Sequence, residues 1–572
     1  MLIALIGLSS LQPQVSNAQT TDVQTTLELE QNPAVDTTIA LDGTTITVTG
    51  NGATVAGSVV TIDAAGTYSL SGTLTDGQVR VDTDDDGLVT LILNGVNLSS
   101  STSAPIYVKE ADTVAILLAE GTENVVSDAA SYVYENAEDD EPNAAVFSDD
   151  DLTIYGSGSL NVTANYNDGI TSKDTLTILS GNISVTAVDD GIRGKDYLVI
   201  DGAQITLNVQ GDGLKSDNEE DVTLGYISIL SGSFNITAGG DAISAQTALN
   251  ISDGQFALTT AGGSTSYISD DLSAKGLKAG VSVTIDGGTF TINAADDGVH
   301  ANESIVINNG SLTIASGDDG IHADASIEIN GGSINITQSY EAIESAVITV
   351  NDGDIHMVSS DDGFNASDGS GGDFGGRGGG MTANGNLLLT INGGYIVMNA
   401  EGDGLDSNGS VIMNGGTVIV NGPTQSMNGP IDYNGGFQIN GGLLIAVGSS
   451  GMMEAPDTSS TQYSLAVAFN TTLPAGTLIH IEDSSGNTVL TFAAAKTNQS
   501  IVLSSSELRA GETYTIYQGG TAVGTVTDGL YTDGTYSGGT AYTSLTLSSI
   551  TTMEGGGMMG GGMRGGRGGG RP

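Results

Sequence analysis

The chain has 572 residues with 68 Asp and Glu against 14 Lys and Arg, a formal net charge of −54, and neither cysteine nor tryptophan. A field of that sign repels phosphate backbones and anionic lipid, so nucleic acid and membrane surfaces are poor partners. Without cysteine there are no disulfides, thiolate zinc sites or thiol catalysis, and a bound metal must use oxygen ligands or the four histidines.

Met1 to Leu11 is an apolar run, and Ser16-Asn17-Ala18 fits signal-peptidase cleavage before Gln19, so residues 1–18 are expected to be a signal peptide and the protein to be secreted. No other apolar run reaches transmembrane length, so the mature chain is not expected to insert in a membrane. Residues 19–143 carry legible strands, as at Val89 to Leu93 and Val114 to Leu118, without a clear period, and an acidic loop at Glu135 to Glu141. They are expected to form a cap and irregular early rungs.

From 144 to 451 a repeat dominates. Triplets of the Asp-Gly-Ile type begin at Asp168, Asp190, Asp212, Asp241, Lys275, Asp297, Asp319, Glu341, Asp362 and Asp403, at intervals of 22, 22, 29, 34, 22, 22, 22, 21 and 41. The long intervals hold loop-like insertions such as the glycine-rich Gly369 to Gly380. After the acid comes Gly or Ala, as a tight turn favours, then an apolar column from Ile170 to Leu405, and two positions on a small column from Ser172 to Ser407. Two more alternating segments follow, for example Ser326 to Ile329 and Ser333 to Ile336, split by Asn-Gly-Gly turns. Three strands per 22 residues predict an all-β fold, a right-handed single-stranded parallel β-helix with rungs of about 22 residues. A propeller blade needs about twice that period, and a nonapeptide β-roll about nine residues. Residues 452–554 read as longer strands, expected to form a small C-terminal β-domain, and 555–572 as a disordered glycine-rich tail with Arg564, Arg567 and Arg571.

The head acid is doubled at Asp189-Asp190, Asp296-Asp297, Asp318-Asp319 and Asp361-Asp362, which gives a carboxylate ladder. Stacked about 4.8 Å apart, such groups repel by roughly 1 kcal/mol in water and more inside protein, so the ladder favours a hard divalent ion, calcium. The simpler reading is that each Asp only caps its turn. Asparagine would serve that purpose equally, yet eight of ten head positions are Asp and one is Glu in an Asn-rich chain.

Three residues beyond the head lies an outward column: Thr171, Arg193, Lys215, Ser244, Lys278, His300, His322, Glu344, Asn365 and Asp406. Cations beside carboxylates suit a polymer with a carboxylate on each sugar, so Arg193, Lys215, Lys278, His300, His322 and Glu344 are the candidate carbohydrate-binding residues. Alternatively these cations only neutralise the Asp ladder through exposed ion pairs. Two stacked histidines, 300 and 322, offer a transition metal only two ligands on a flat wall. Tyr166, Tyr340 and Tyr395 could add isolated stacking on sugar rings.

The stretches Glu-Pro-Asn-Ala-Ala-Val-Phe-Ser at 141–148, Asn-Asp-Gly-Ile-Thr-Ser-Lys-Asp at 167–174, Asp-Asp-Gly-Ile-Arg-Gly-Lys-Asp at 189–196, Gly-Asp-Gly-Leu-Asp-Ser-Asn-Gly-Ser at 402–410 and Gly-Gly-Thr-Val-Ile-Val-Asn-Gly-Pro at 415–423 resemble a known family. These are secreted bacterial carbohydrate-binding β-helix proteins, similar in fold to pectate-type polysaccharide lyases. The resemblance spans roughly 68–553 and implies a calcium-binding protein that holds acidic polysaccharides such as polygalacturonate, or pectin, without established cleavage.

Non-catalytic, calcium-assisted binding of acidic polysaccharide by a monomer is therefore the function expected. A uronate lyase is the alternative, with Lys173 and Lys195, also 22 apart, or Arg193, Lys215 and Lys278 as candidate bases near calcium. A repeating wall offers one weak site many times, whereas catalysis needs one singular constellation. Paired aspartates could also serve an inverting hydrolase. A calcium-stiffened surface stalk is the third reading.

Overall fold

The computed structural model describes residues 29–555 except 135, 137, 270 and 369–385. The expected signal peptide, the glycine-rich insert and the three tail arginines lie outside the described residues. Every element is a strand, and among the described residues no helix is long and apolar enough to cross a membrane.

The 22-residue period sets the register of a 45-stranded sheet. Val299–Ala301, Ser304–Ile307 and Ser311–Ser316 each pair in parallel with the strand one repeat earlier: Leu277–Ala279, Ser282–Ile285 and Thr289–Ala294. Like side chains therefore stack on like. Ile170, Ile192, Leu214, Ile243, Leu277, Val299, Ile321, Ile343, Phe364 and Leu405 are all fully buried. Inside, Phe234, Phe256 and Phe290 stack with centroids 4.7 and 4.5 Å apart. At one turn an amide ladder climbs the outside, with Nδ2 of Asn330, Asn351, Asn392, Asn414 and Asn440 each donating to the Oδ1 of the asparagine before it at 2.7–2.9 Å.

The glycine after the head acid is required by a close approach and not, as expected, by turn conformation. A Cβ on Gly169, Gly191, Gly276, Gly298, Gly320 or Gly363 would stand 2.5–2.6 Å from the carbonyl oxygen of the equivalent residue one repeat on. Alanine fits this position only as Ala242 and Ala342, which precede the 34- and 21-residue intervals.

The predicted fold class needs correction. The parallel pairings close eight strands into a ring with many strands outside it. In order the ring is Leu88–Ser99, Thr113–Leu118, Leu152–Gly156, Thr175–Ile178, Tyr197–Val209, Asn182–Ala187, Ser159–Ala164 and Glu123–Ser127. This closed parallel barrel is not the expected right-handed single-stranded parallel β-helix, whose ladders would run separately from end to end. The physical cause is that Leu88–Ser99 and Tyr197–Val209 pass through glycine turns at Gly95 and Gly202, with φ of 75° and 82°, as single strands whose pairing shifts register at the turn. Each strand thus joins two ladders, although its sequence reads as two strands with a turn between them.

Residues 452–554, expected as a small C-terminal β-domain, are all strand and turn and are linked to the main sheet. Ser464–Leu473, Asn498–Ser504 and Thr551–Glu554 belong to the main sheet, joined through the antiparallel pairing of Leu443–Gly448 with Asn498–Ser504. Beside them stands a second, six-stranded sheet that includes Leu478–Glu482, Thr488–Ala493 and Thr513–Gln518.

Candidate functional site

The two oxygens of a head carboxylate do different work. Oδ1 accepts the backbone N–H of the next head residue: Asp212 N–H donates to Asp190 Oδ1 at 2.8 Å, Lys275 N–H to Asp241 at 2.7 Å, Asp319 N–H to Asp297 at 3.0 Å and Asp403 N–H to Asp362 at 2.6 Å. This is turn capping carried across repeats. Oδ2 faces the outward column instead. Lys215 Nζ lies 2.9 Å from Asp190 Oδ2 and 3.1 Å from Asp212 Oδ2, Lys278 Nζ 2.9 Å from Asp241 Oδ2, and His300 Nδ1 2.9 Å from Asp297 Oδ2. Asparagine could cap as well but would turn an NH2 toward those cations.

The outward column is continuous. Arg193 pairs in register with Lys215, Lys215 with Ser244, Ser244 with Lys278, Lys278 with His300, His300 with His322, His322 with Glu344, Glu344 with Asn365, Asn365 with Asp406 and Asp406 with Asp432. All six candidate carbohydrate-binding residues thus stand in one row. Its cations are already engaged by the acids, and Arg193 clamps Asp217 with Nε 3.0 Å from both carboxylate oxygens. Lys275, a head residue, reaches Asp296 at 2.9 Å and Asp297 at 2.7 Å.

Of the eight candidate metal ligands, Asp190, Asp296 and Asp297 are held by lysine. Asp189 and Asp318 are exposed, and Asp319 is buried beside His322. Burial would raise Asp297, but His300 and Lys275 hold it well below the usual carboxylate range.

Asp361 and Asp362 lie where the row loses its cations. Between Lys278 and Lys496 the only Lys or Arg is Arg377, outside the described residues. Here burial, and then repulsion from neighbouring acids, pushes Asp362 up to about 8 and Asp406 to about 9. Asp403 and Glu454 rise to about 7, also mainly by burial. Ligand oxygens of Asp403, Asp406 and Asp432 lie within 4.8 Å of one another. Two buried oxygens nearby have no hydrogen-bond partner, Glu454 Oε2 and Asn365 Oδ1. Nδ2 of Asn365 donates to Glu341 at 2.7 Å and to Glu344 at 3.3 Å, which turns its Oδ1 to the other side of the amide plane.

Asp403, Asp406, Asp432 and Glu454 escaped selection from the sequence, although the run without Lys or Arg is visible there. Of the tyrosines, Tyr166 is stacked on Tyr132 with centroids 4.3 Å apart, and Tyr395 donates to Asp528 at 2.9 Å, so both are engaged within the protein. Tyr340 is half exposed.

Residues 56–320 match the family described as carbohydrate-binding domain-containing protein. A relative of that description from Acetivibrio thermocellus is 48% identical over 203 residues, covering 36% of this chain and 71% of the relative. The chain belongs to this carbohydrate-binding domain family. A solved structure titled as the polysaccharide lyase-like protein from C. thermocellum, in a gadolinium derivative, is 38% identical and covers 40% of this chain and 92% of its own, with a TM-score of 0.39. The family match includes Arg193, Lys215, Lys278 and His300 and ends before His322.

Proposed function

We propose that this carbohydrate-binding protein is an extracellular, non-catalytic, monomeric binder of acidic polysaccharide, polygalacturonate or a pectin-like polymer, and that calcium assists it. The observation that carries the reading is the unbalanced end of the row. Asp362, Asp403, Asp406 and Asp432 are crowded and partly buried, with no Lys or Arg paired to them among the described residues. An oxygen-only donor set of this kind, with the unpartnered Asn365 Oδ1 and Glu454 Oε2 beside it, fits calcium. Bound there, calcium would supply positive charge to which a sugar carboxylate can be drawn. Further along the row, Lys215 and Lys278 keep 28% and 32% of their side-chain surface exposed, enough to meet a second uronate while remaining tied to Asp190 and Asp241.

Binding is favoured over elimination by the state of two of the candidate bases. Burial pulls the Lys173 and Lys215 ammoniums down, but Glu141 and Asp149 for the first, and Asp212 and Asp190 for the second, leave both above their ordinary values. A base must be free of its proton at the working pH, and these lysines hold theirs more tightly than a free lysine does. The test is titration with polygalacturonate with and without a calcium chelator, while the ultraviolet absorbance of unsaturated uronides is followed. Saturable binding that chelation weakens, with no absorbance rise, is expected. Binding indifferent to chelation would remove calcium from the reading, and a steady rise would make the protein a lyase.

A further inference from the structure

His322 sits where the basic half of the row gives way to the acidic half, between His300 and Glu344. The two histidines differ in how they are held. His300 is locked by direct bonds, Nδ1 to Asp297 at 2.9 Å and Nε2 to Asn302 at 3.2 Å. His322 forms no hydrogen bond among the described residues. Its Nδ1 stands 3.4 Å from Asp319 Oδ2 and 4.0 Å from Asp297 Oδ2, and its Nε2 3.6 Å from Asp324.

Those spacings suit a shared ion better than a shared proton. A tetrahedral zinc ion with ligands at about 2.0–2.1 Å holds its donor atoms about 3.4 Å apart. Donor atoms of Asp319, His322 and Glu344 all lie within 4.8 Å of one another, so a modest turn of the Glu344 side chain closes the set. Among the described residues no lysine or arginine pairs with Asp319 or Glu344. On the other side of His322, by contrast, Lys275 occupies Asp297 Oδ2 at 2.7 Å. Two histidines alone would be too few ligands on a flat wall; the structure replaces the second with two carboxylates from adjacent repeats.

The geometry points to a site for a borderline transition-metal dication of the zinc class, held by His322 Nδ1, Asp319 and Glu344, with a fourth position open to solvent. An imidazole nitrogen among carboxylates selects zinc, cobalt or nickel over calcium, which takes oxygen ligands. The site is thus separate in chemistry from the oxygen-only end of the row, and it does not depend on which glycan the protein holds.

The test is titration of the chelator-stripped full chain with cobalt(II), followed by the visible absorption of tetrahedral cobalt in excess calcium. One cobalt per chain is expected, displaced by zinc and not by calcium. His322→Ala and the conservative Glu344→Gln should each weaken uptake about tenfold or more, with circular dichroism unchanged. His356→Ala, whose ring lies between Asp354 and Asp528, should leave it unaltered. Absence of the cobalt band, equal uptake by His322→Ala, or displacement by calcium would each overturn the site. So would loss on His300→Ala with retention on Glu344→Gln, which would move the ion to the Asp297 side.

Discussion

Replacing Asp406 by asparagine inverts the usual consequence of altering a buried polar group. Asp406 lies among Asp362, Asp403 and Asp432, and burial followed by their charges raises it from 3.8 to about 9. A carboxyl raised in the folded state costs no stability below its unfolded value near 4, because both states then hold the proton. As pH rises the unfolded chain releases it first, and the folded state loses ground at about 1.4 kcal/mol per pH unit. Between pH 4 and pH 8 the ceiling is therefore roughly 5–6 kcal/mol, and charge shared with Asp362 and Asp403 together with solvent at the mouth reduces it to about 2–3 kcal/mol. Asn removes the charge at nearly constant volume. In chelator at pH 8, Asp406→Asn should be the more stable protein by about 2–3 kcal/mol, while at pH 4 the two should agree. With calcium the gap should close, since an ion at one hundred times its Kd adds about 2.7 kcal/mol to the wild type and much less to the variant. Chemical denaturation at both pH values, with calcium and with chelator, measures all four quantities. A variant that is less stable in chelator at pH 8, or that gains as much from calcium as the wild type, would refute the reasoning.

Lys275→Met should destabilise the fold by about 3–5 kcal/mol in equilibrium unfolding, because it leaves the buried Asp297 and its neighbour Asp296 without the ammonium 2.7 and 2.9 Å away. Gly298→Ala should cost about 1–3 kcal/mol, its Cβ meeting Ile314 Cγ2 at 2.4 Å and the Gly320 carbonyl oxygen at 2.6 Å; a neutral result would mean that the repeats can slide apart at this column. Lys215→Gln frees Oδ2 of both Asp190 and Asp212, so calorimetry should find additional calcium uptake by the variant over the wild type.

The period and its columns were legible because stacking makes each repeat see the next as a copy of itself. Ile170 and its successors had to be apolar together, and Asp168 and its successors acidic together, so the pattern survives in one dimension. Ring closure was not legible. Asn94-Gly95 and Asp201-Gly202 have the composition of turns, and whether hydrogen bonding continues through such a turn depends on the neighbouring strand and not on local preference. The same limit explains Asp403, Asp406 and Asp432. Their crowding follows from the parallel pairing that sets Asp432 beside Asp406, although the lack of Lys and Arg around them was in plain view.

The choice between turn capping and cation binding was posed as an alternative, and the carboxylate geometry dissolves it. One oxygen of each head aspartate is spoken for by backbone of the next repeat whatever happens outside, so aspartate is held rigidly and its second oxygen is aimed before any cation arrives. What then varies along the row is only the partner supplied: arginine or lysine from Arg193 to Lys278, imidazole at His300 and His322, and no basic side chain paired from Glu344 to Asp432 among the described residues. At the acidic end burial comes first and crowding second in raising Asp362 and Asp406, and no built-in cation offsets either, whereas His300 and Lys275 hold Asp297 below the usual range. In the proposed reading calcium binds where the sequence withholds a lysine.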